Sequence, residues 1–295
     1  MSSRQFIGRR ALTQNKTAII TGASSGLGLE TTKALVAQGF KVLMVSRGEE
    51  KLLDAANQIR QAHPEAEISE HVVDISNLDQ VRAFAKSIDG PVDLLMNNAG
   101  LMGPDFSLSI DGIESQMATN HVGHFLLTSE LIENLEKAQG RVVHLSSVVH
   151  RRGKFPELSP EVLEGSNKSS YDRWQRYADT KLACLLFGRE LDLRLKQSGS
   201  RVLSVIAHPG WAITGLQKNH PHTLDSFAQD AATGARSQIL AATDQALSGG
   251  EFIGPKFELW GEPKQIRGSK RSQDLGLSKG LWEATEELIG IKFLG

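Results

Sequence analysis

The chain has 295 residues, 40% hydrophobic and 23% charged, enough to bury a large core in one α/β domain or two small ones. A formal net charge of -1 supplies no basic field for nucleic acid or an anionic membrane, and no run approaches the ~20 apolar residues of a membrane helix. The single cysteine, Cys184, excludes an intrachain disulfide and a Cys-rich zinc site, and Met1 to Lys16 carries Arg4, Arg9, Arg10 and Lys16 but no signal-like apolar segment. The expectation is a cytoplasmic protein of a reducing compartment, with no membrane span and no nucleic-acid partner.

Thr17–Ala18–Ile19–Ile20 reads as a buried strand and feeds Thr21–Gly22–Ala23–Ser24–Ser25–Gly26–Leu27–Gly28, followed by a helical pattern from Leu29 to Gln38. Strand, glycine-rich turn and helix open a dinucleotide-binding unit: glycines let backbone approach a pyrophosphate, and the helix N-terminus favours its charge. The spacing here is G-x-x-x-G-x-G, so the match to the G-x-G-x-x-G fingerprint is in mechanism and not in letter. Lys41 to Val45 reads as the second strand. Where an acid would meet a cofactor's 2′-hydroxyl, the chain has Ser46–Arg47, with Lys51 a turn further on; this favours NADP(H) over NAD(H). Glu49 and Glu50 work slightly against that preference, or are first-turn helix acids favoured by the macrodipole.

A third strand fits 68–73 and closes on Asp74–Ile75, where the acid either caps the helix beginning near Asn77 or meets an adenine ring. Val92 to Met96 is the fourth strand, ending in Asn97–Asn98–Ala99–Gly100; its amides either stabilise the neighbouring turn or line a crevice. From Ile113 to Lys137 one long helix is expected, with Asn120, His121 and His124 embedded in it. The two histidines read as core or surface residues, and no third group is spaced for a metal. Arg141 to Leu145 is the fifth strand and delivers Ser146–Ser147, hydroxyls that either meet substrate or cap a turn.

Residues 148–176 are polar, punctuated by proline and glycine, and longer than an ordinary connection, which suggests a lid or substrate wall. The Arg151, Arg152, Lys154 cluster reads as solvated. Tyr177 and Lys181 then stand four apart on a helix that runs on through Leu191 without proline, so their side chains are adjacent. An ammonium beside a phenol favours the phenolate and suits it to acid/base work near neutrality. A sixth strand over 201–207 ends in His208–Pro209–Gly210; Thr214, a helix over 224–247, a short strand within 251–260 and a helix over 281–289 complete the chain. The alternation predicts a single doubly wound parallel sheet, a Rossmann fold with helices on both faces. The helices at 113–137 and 178–195 either pair in a homodimer or face their own sheet.

Taken together, Thr21–Gly22–x–x–x–Gly26–x–Gly28, Asn97–Asn98–Ala99–Gly100, Asn120, Ser147, Tyr177–x–x–x–Lys181 and Pro209–Gly210 before Thr214 resemble the short-chain dehydrogenase/reductase family over roughly residues 15–260. Residues 26–30, 119–125, 145–150 and the insertion before Tyr177 are similar to the retinol-dehydrogenase-like and protochlorophyllide-reductase-like branch. A lone cysteine speaks against protochlorophyllide reductase itself. Residues 148–176 would then be an insertion and 261–295 a C-terminal extension.

The resemblance implies an NADP(H)-dependent oxidoreductase that interconverts an alcohol with a ketone or aldehyde, its substrate a hydrophobic small molecule. Tyr177 would be the acid/base, Lys181 its tuner and a ribose ligand, and Ser147 the group orienting the substrate oxygen. Asn120 would hold a relay water behind Lys181. Ser24, Ser25 and Leu27 would join the glycines at the phosphates. Asn97, Ala99 and Gly100 would contact the cofactor near the nicotinamide ribose, Asp74 and Ile75 the adenine, and Pro209, Gly210 and Thr214 the carboxamide. The Ser147-to-Tyr177 interval is about twice the family's usual one, which bears on pocket shape and not on chemistry. Reduction of a carbon–carbon double bond and non-catalytic dinucleotide sensing are the alternatives.

Overall fold

The computed structural model describes residues 16–155, 157–212 and 229–295. Its eight strands form one sheet in the order β3-β2-β1-β4-β5-β6-β7-β8. They are β1 (Thr17–Thr21), β2 (Lys41–Ser46), β3 (Ile68–Val72), β4 (Leu94–Asn97), β5 (Arg141–Leu145), β6 (Leu203–Ala207), β7 (Phe252–Pro255) and β8 (Pro263–Gln265). All pairings are parallel except β7 with β8. The order reverses between β1 and β4, so the crossovers after them leave in opposite directions and open a crevice beyond their C-terminal ends.

The apolar runs of the central strands have a simple cause: both sheet faces are covered. Ile19, Leu43, Val45, Leu95 and Val142 point into one core cluster, while Ala18, Ile20, Val42, Met44, Leu94 and Val143 point into the other. Helices α1 (Gly26–Val36), α2 (Glu49–Ala62) and α9 (Ala231–Thr243) carry residues of the second cluster. Helices α3 (Leu78–Lys86), α5 (Gly123–Glu130), α8 (Arg173–Gln197) and α10 (Leu275–Ile289) carry residues of the first.

The long helix expected over 113–137 is broken. Helix α4 (Ser115–Met117) runs into a π turn (Ala118–Val122), then α5, and the axis breaks again at Leu131 before α6 (Ile132–Ala138). Gly123 sits where an added Cβ would overlap the carbonyl oxygen of Ile75, so the helix can cross the β3–α3 connection only with glycine there.

Residues 148–176 are more structured than their polarity suggests. A 3₁₀ turn covers Val148–Arg152, and α7 (Pro160–Glu164) starts with Ser159 as N-cap and ends on Gly165 at φ 60°. The strand expected within 251–260 ends at Pro255, and a tight turn then feeds antiparallel β8. The terminal helix begins at Leu275, six residues before the expected start, because the Asp274 carboxylate caps it by accepting from the Leu277 N–H. Gly276 and Gly280 hid that first turn from propensity.

Helix α10 and the segment behind it cover the apolar face shared by α5 and α8. Trp282 stacks on Phe293 with centroids 5.0 Å apart and meets Phe125 edge-on at 4.8 Å, while the Arg194 guanidinium lies 4.5 Å over the indole. The faces that the sequence left open to a homodimer are thus taken by the sheet and by this chain's own C-terminal helix. No helix among the described residues is long and apolar enough to cross a membrane.

Candidate active site

A cleft of about 270 Å³ opens at the C-terminal ends of β1, β4 and β5. Its floor is the glycine loop. Gly22 and Gly26 have φ of 68° and 53°, and a Cβ on Gly28 would overlap the Gly22 carbonyl oxygen. The loop is fastened on both sides. Thr21 Oγ1 accepts from the Asn98 and Ala99 N–H groups at 2.9 Å each, Asn98 Nδ2 donates to Thr21 O at 2.7 Å, and Ser24 and Ser46 share a hydroxyl hydrogen bond of 2.9 Å. Ser25, the N-cap of α1, makes no side-chain capping bond, and no acid occupies the first turn. The orphan N–H groups of that turn therefore suit an anion, and Gly22, Ser24, Ser25, Gly26, Leu27 and Gly28 all line the cleft.

At one end of the cleft stand Arg47, Asp74 and Ile75. Arg47 is exposed; the Asp74 carboxylate accepts from the Ser76 N–H at 2.9 Å, whereas Asn77 caps α3. Of the two readings of Asp74, helix cap or cleft residue, the geometry favours the cleft.

At the other end stand Ala99, Gly100, Ser147, Tyr177 and Lys181, with Pro209 and Gly210 on the facing rim. Tyr177 is 8% and Lys181 5% exposed, and the Lys181 Nζ lies 5.8 Å from the Tyr177 ring centroid and donates to Leu145 O at 3.0 Å. The helix that carries them starts at the Asp172 cap, which accepts from the Trp174 and Gln175 N–H groups. Ser147 lines the cleft and also accepts weakly from Val149 N–H at 3.4 Å, the turn-capping contact.

Two expected site residues do not line the cleft. Asn97 turns into the core, where its Nδ2 donates to Thr128 Oγ1 at 3.0 Å. The chain turns at the end of β4, where the Asn98 N–H donates to Met96 O at 3.0 Å, and Asn98 and not Asn97 stands beside the glycine loop. Asn120 is fully engaged: its Oδ1 accepts from Leu101 N–H at 2.7 Å, and its Nδ2 donates to Leu101 O at 3.0 Å and to Thr180 Oγ1 at 2.9 Å. Its carbonyl already meets Cys184 Sγ at 3.2 Å and His124 Nδ1 at 3.3 Å, so a water held there would share it with two protein donors. Asn120 nevertheless lies close behind the site, since a Cβ on Gly100 would be 3.1 Å from its Oδ1 and 3.6 Å from Lys181 Nζ. Thr214 lies outside the described residues, as do all of residues 213–228.

The cleft also contains Thr119 and Leu101, which the sequence did not single out, and Ser146, which it offered together with Ser147. Thr119 could have been found from its position beside Asn120. Leu101 follows Gly100 in a loop whose path no periodicity reports. His121 and His124 belong to the core. Burial pushes them down to about 3 and about 4, so both are neutral. The His124 Nε2 lies 2.9 Å from Thr21 Oγ1, tying the helix to the glycine loop. Among the described residues no group of three or more His, Cys, Asp or Glu is arranged to hold a metal.

Residues 16–157 match the sequence profile of the short chain dehydrogenase family. Human retinol dehydrogenase 12 is 31% identical over 94% of this chain and 87% of its own length. The short-chain dehydrogenase TIC 32 A of Brassica napus, a chloroplastic protein, is 36% identical over 68% of this chain, which spans 65% of that relative. The solved structure of an uncharacterised protein from Mycobacterium paratuberculosis superposes with a TM-score of 0.81 at 35% identity, covering 96% of this chain and 98% of that one. The chain therefore belongs to the short-chain dehydrogenase/reductase family of oxidoreductases and, within it, is retinol-dehydrogenase-like.

Proposed function

We propose that this protein is an NADP(H)-dependent oxidoreductase that interconverts an alcohol and a ketone or aldehyde on a hydrophobic small molecule. The observation that carries the reading is the convergence of Ser147, Tyr177 and Lys181 on one cleft whose floor is the glycine loop. The family binds a nicotinamide dinucleotide, and the residues present fit one. The unpartnered N-terminus of α1 would hold the pyrophosphate. Arg47, exposed at the cleft edge, would pair a 2′-phosphate, which is the basis for NADP(H).

When bound, the reduced nicotinamide supplies a hydride to the substrate carbonyl carbon. The Tyr177 hydroxyl gives its proton to the carbonyl oxygen as negative charge develops there, and takes it back in the oxidising direction. Ser147 donates a hydrogen bond to the same oxygen and fixes its direction. Lys181, held by Leu145 O, keeps a positive charge beside the phenol and has donors left for the ribose. A hydrophobic substrate is supported by relatives named retinol dehydrogenases, and by Leu101 and Ala212 in the cleft wall.

The test is a spectrophotometric screen of NADPH and NADH against retinoid, steroid, quinone and simple carbonyl panels. Oxidation of NADPH by a carbonyl compound is the expected result. Binding of NADPH with no turnover against any panel would instead favour a dinucleotide sensor, and reduction of a conjugated double bond in preference to a carbonyl would move the reaction class.

A further inference from the structure

The segment leading to Tyr177 has the length and polarity of a lid, yet none of its described residues from 148 to 176 lines the cleft. It folds into the body of the protein. Phe155 and Leu163 are buried in the core cluster shared with α8 and α10, Leu158 lies against Gly280 of α10, and the Trp174 ring lies against Gly103.

The organising group is the carboxylate of Glu114, which has no exposed surface. Its Oε1 accepts from the Gln116 N–H at 2.9 Å, and its Oε2 from the Met117 N–H at 3.0 Å and from Arg176 Nε at 2.9 Å. Arg176 donates from Nη1 to Val162 O and from Nη2 to Leu163 O, closing the end of α7. The Tyr171 hydroxyl lies 3.3 Å from Glu114 Oε1 and 3.1 Å from Pro104 O, and accepts from Gln116 Nε2 at 2.9 Å. Burial, then the Glu114 charge, pushes Tyr171 up to about 12, so it stays a donor. One carboxylate thus gathers the start of the helix carrying Asn120, the end of α7 and the residue immediately before Tyr177.

We propose that residues 157–176 are a fixed brace and not a lid, latched by the buried Glu114–Arg176 pair, and that Glu114, Arg176 and Tyr171 are positioning residues holding Tyr177 at the cleft. The proposal rests on the reading of Tyr177 as the acid/base. Swinging the segment outward would bring Leu163 into water and take the Val162 and Leu163 carbonyls away from the Arg176 guanidinium that pairs with the buried carboxylate. Lids are drawn from the weakly held end of a structure; here Leu163 is buried and Tyr171 and Arg176 are tied to Glu114, while residues 166–170 face solvent. Because Arg176 and Tyr177 are consecutive on one helix, a shift at the latch is a shift at the phenol. Misplacement of a reacting group by an ångström costs on the order of a hundredfold in rate.

The experiment has two arms. Hydrogen–deuterium exchange on the full chain, with and without saturating NADPH, should find 158–176 protected in the free protein and unchanged by the cofactor. Free exchange that becomes protected only when NADPH is added overturns the brace. Tyr171→Phe, which removes one donor without leaving a buried charge, and the charge-neutral pair Glu114→Gln with Arg176→Met are then assayed as folded proteins. Turnover should fall about tenfold or more in each, with the KM for NADPH and for the carbonyl substrate unchanged. A loss confined to KM means the segment touches substrate, and unchanged kcat with only a lowered Tm means a merely structural role; either overturns the positioning claim. Protection with wild-type protein that turns over nothing supports the brace, and overturns the acid/base reading together with the positioning role.

Discussion

Lys181 donates from its ammonium to the backbone oxygen of Leu145 at 3.0 Å, which pins the middle of α8 to the C-terminal end of β5. Ser146 strengthens the joint by donating to Lys181 O at 2.7 Å. Tyr177, one turn earlier on the same helix, is carried with it to the cleft. The pair Tyr177 and Lys181 is therefore positioned by a strand end as much as by its own helical spacing.

Replacing Tyr177 by Phe removes the proposed proton donor and leaves the rest of the side chain in place. Turnover should fall by about 10² to 10⁴-fold, the usual worth of a positioned general acid. NADPH binding, followed by fluorescence, should persist. Turnover within tenfold of wild type would mean that another group carries the proton.

Arg47→Ala should change cofactor choice and not chemistry. Loss of a charge-assisted contact to a 2′-phosphate should raise the KM for NADPH by about ten- to a hundredfold. The constants for NADH, which has no such phosphate, should stay where they are. Steady-state kinetics with both cofactors decides it, and an equal effect on the two would place the phosphate elsewhere.

Gly28→Ala puts a methyl group against the Gly22 carbonyl, which is backbone and cannot swing away. The loop must open or distort, at about 1–3 kcal/mol of stability. A lowered Tm together with lost NADPH binding is expected, whereas Gly90→Ala, where an added Cβ meets nothing within 4 Å, should be close to neutral in both.

Five buried histidines should make the protein sensitive to mild acid. Burial pushes His121, His144 and His208 down to about 3, and His124 and His150 to about 4, from an ordinary 6.5. The unfolded chain binds protons at these sites near pH 6.5, and the folded protein does not. Their contribution to stability is complete above pH 6.5 and is lost as pH falls toward the folded values, with a slope of about 1.4 kcal/mol per pH unit for each histidine. Urea midpoints at pH 7.5, 6 and 5 should drop steadily. Midpoints that stay level would mean that the imidazoles can be protonated in place.

Trp282→Ala opens the aromatic cluster that joins α10 to α5 and α8. The expected loss is about 3–5 kcal/mol, read as a shift in the urea midpoint. Light scattering should also rise, because the uncovered face of Phe125 and Phe187 is apolar. A variant as stable as wild type would mean that α10 is dispensable for covering that face.

The central strands and the glycine loop were legible because each is a local pattern: a short apolar run, then residues that only a tight turn can use. The caps of α7 and α10, Ser159 with Gly165 and Asp274, went unpredicted, the first pair inside a stretch expected as a lid or wall and the last beside two glycines. The breaks in the 113–137 helix were not legible. They follow from where Asn120 must reach Leu101 and from the crossing of Gly123 over Ile75, both contacts between distant segments. The same limit explains Asn97 and Asn98, neighbours in sequence that the turn at the end of β4 sends to different surroundings, Thr128 and Thr21.

By itself, the amino-acid order determined the doubly wound sheet, the phosphate-type loop and the identity of the residues able to do acid/base chemistry, since periodicity, turn chemistry and side-chain type are properties of short stretches. Only the tertiary structure decided which of those residues share the cleft, that the helix faces left open to a partner meet the sheet and α10, and that Phe155 and Leu163 join the core. Those outcomes depend on packing between segments many tens of residues apart, such as Glu114 with Arg176, and no local pattern encodes which buried charge will find which partner.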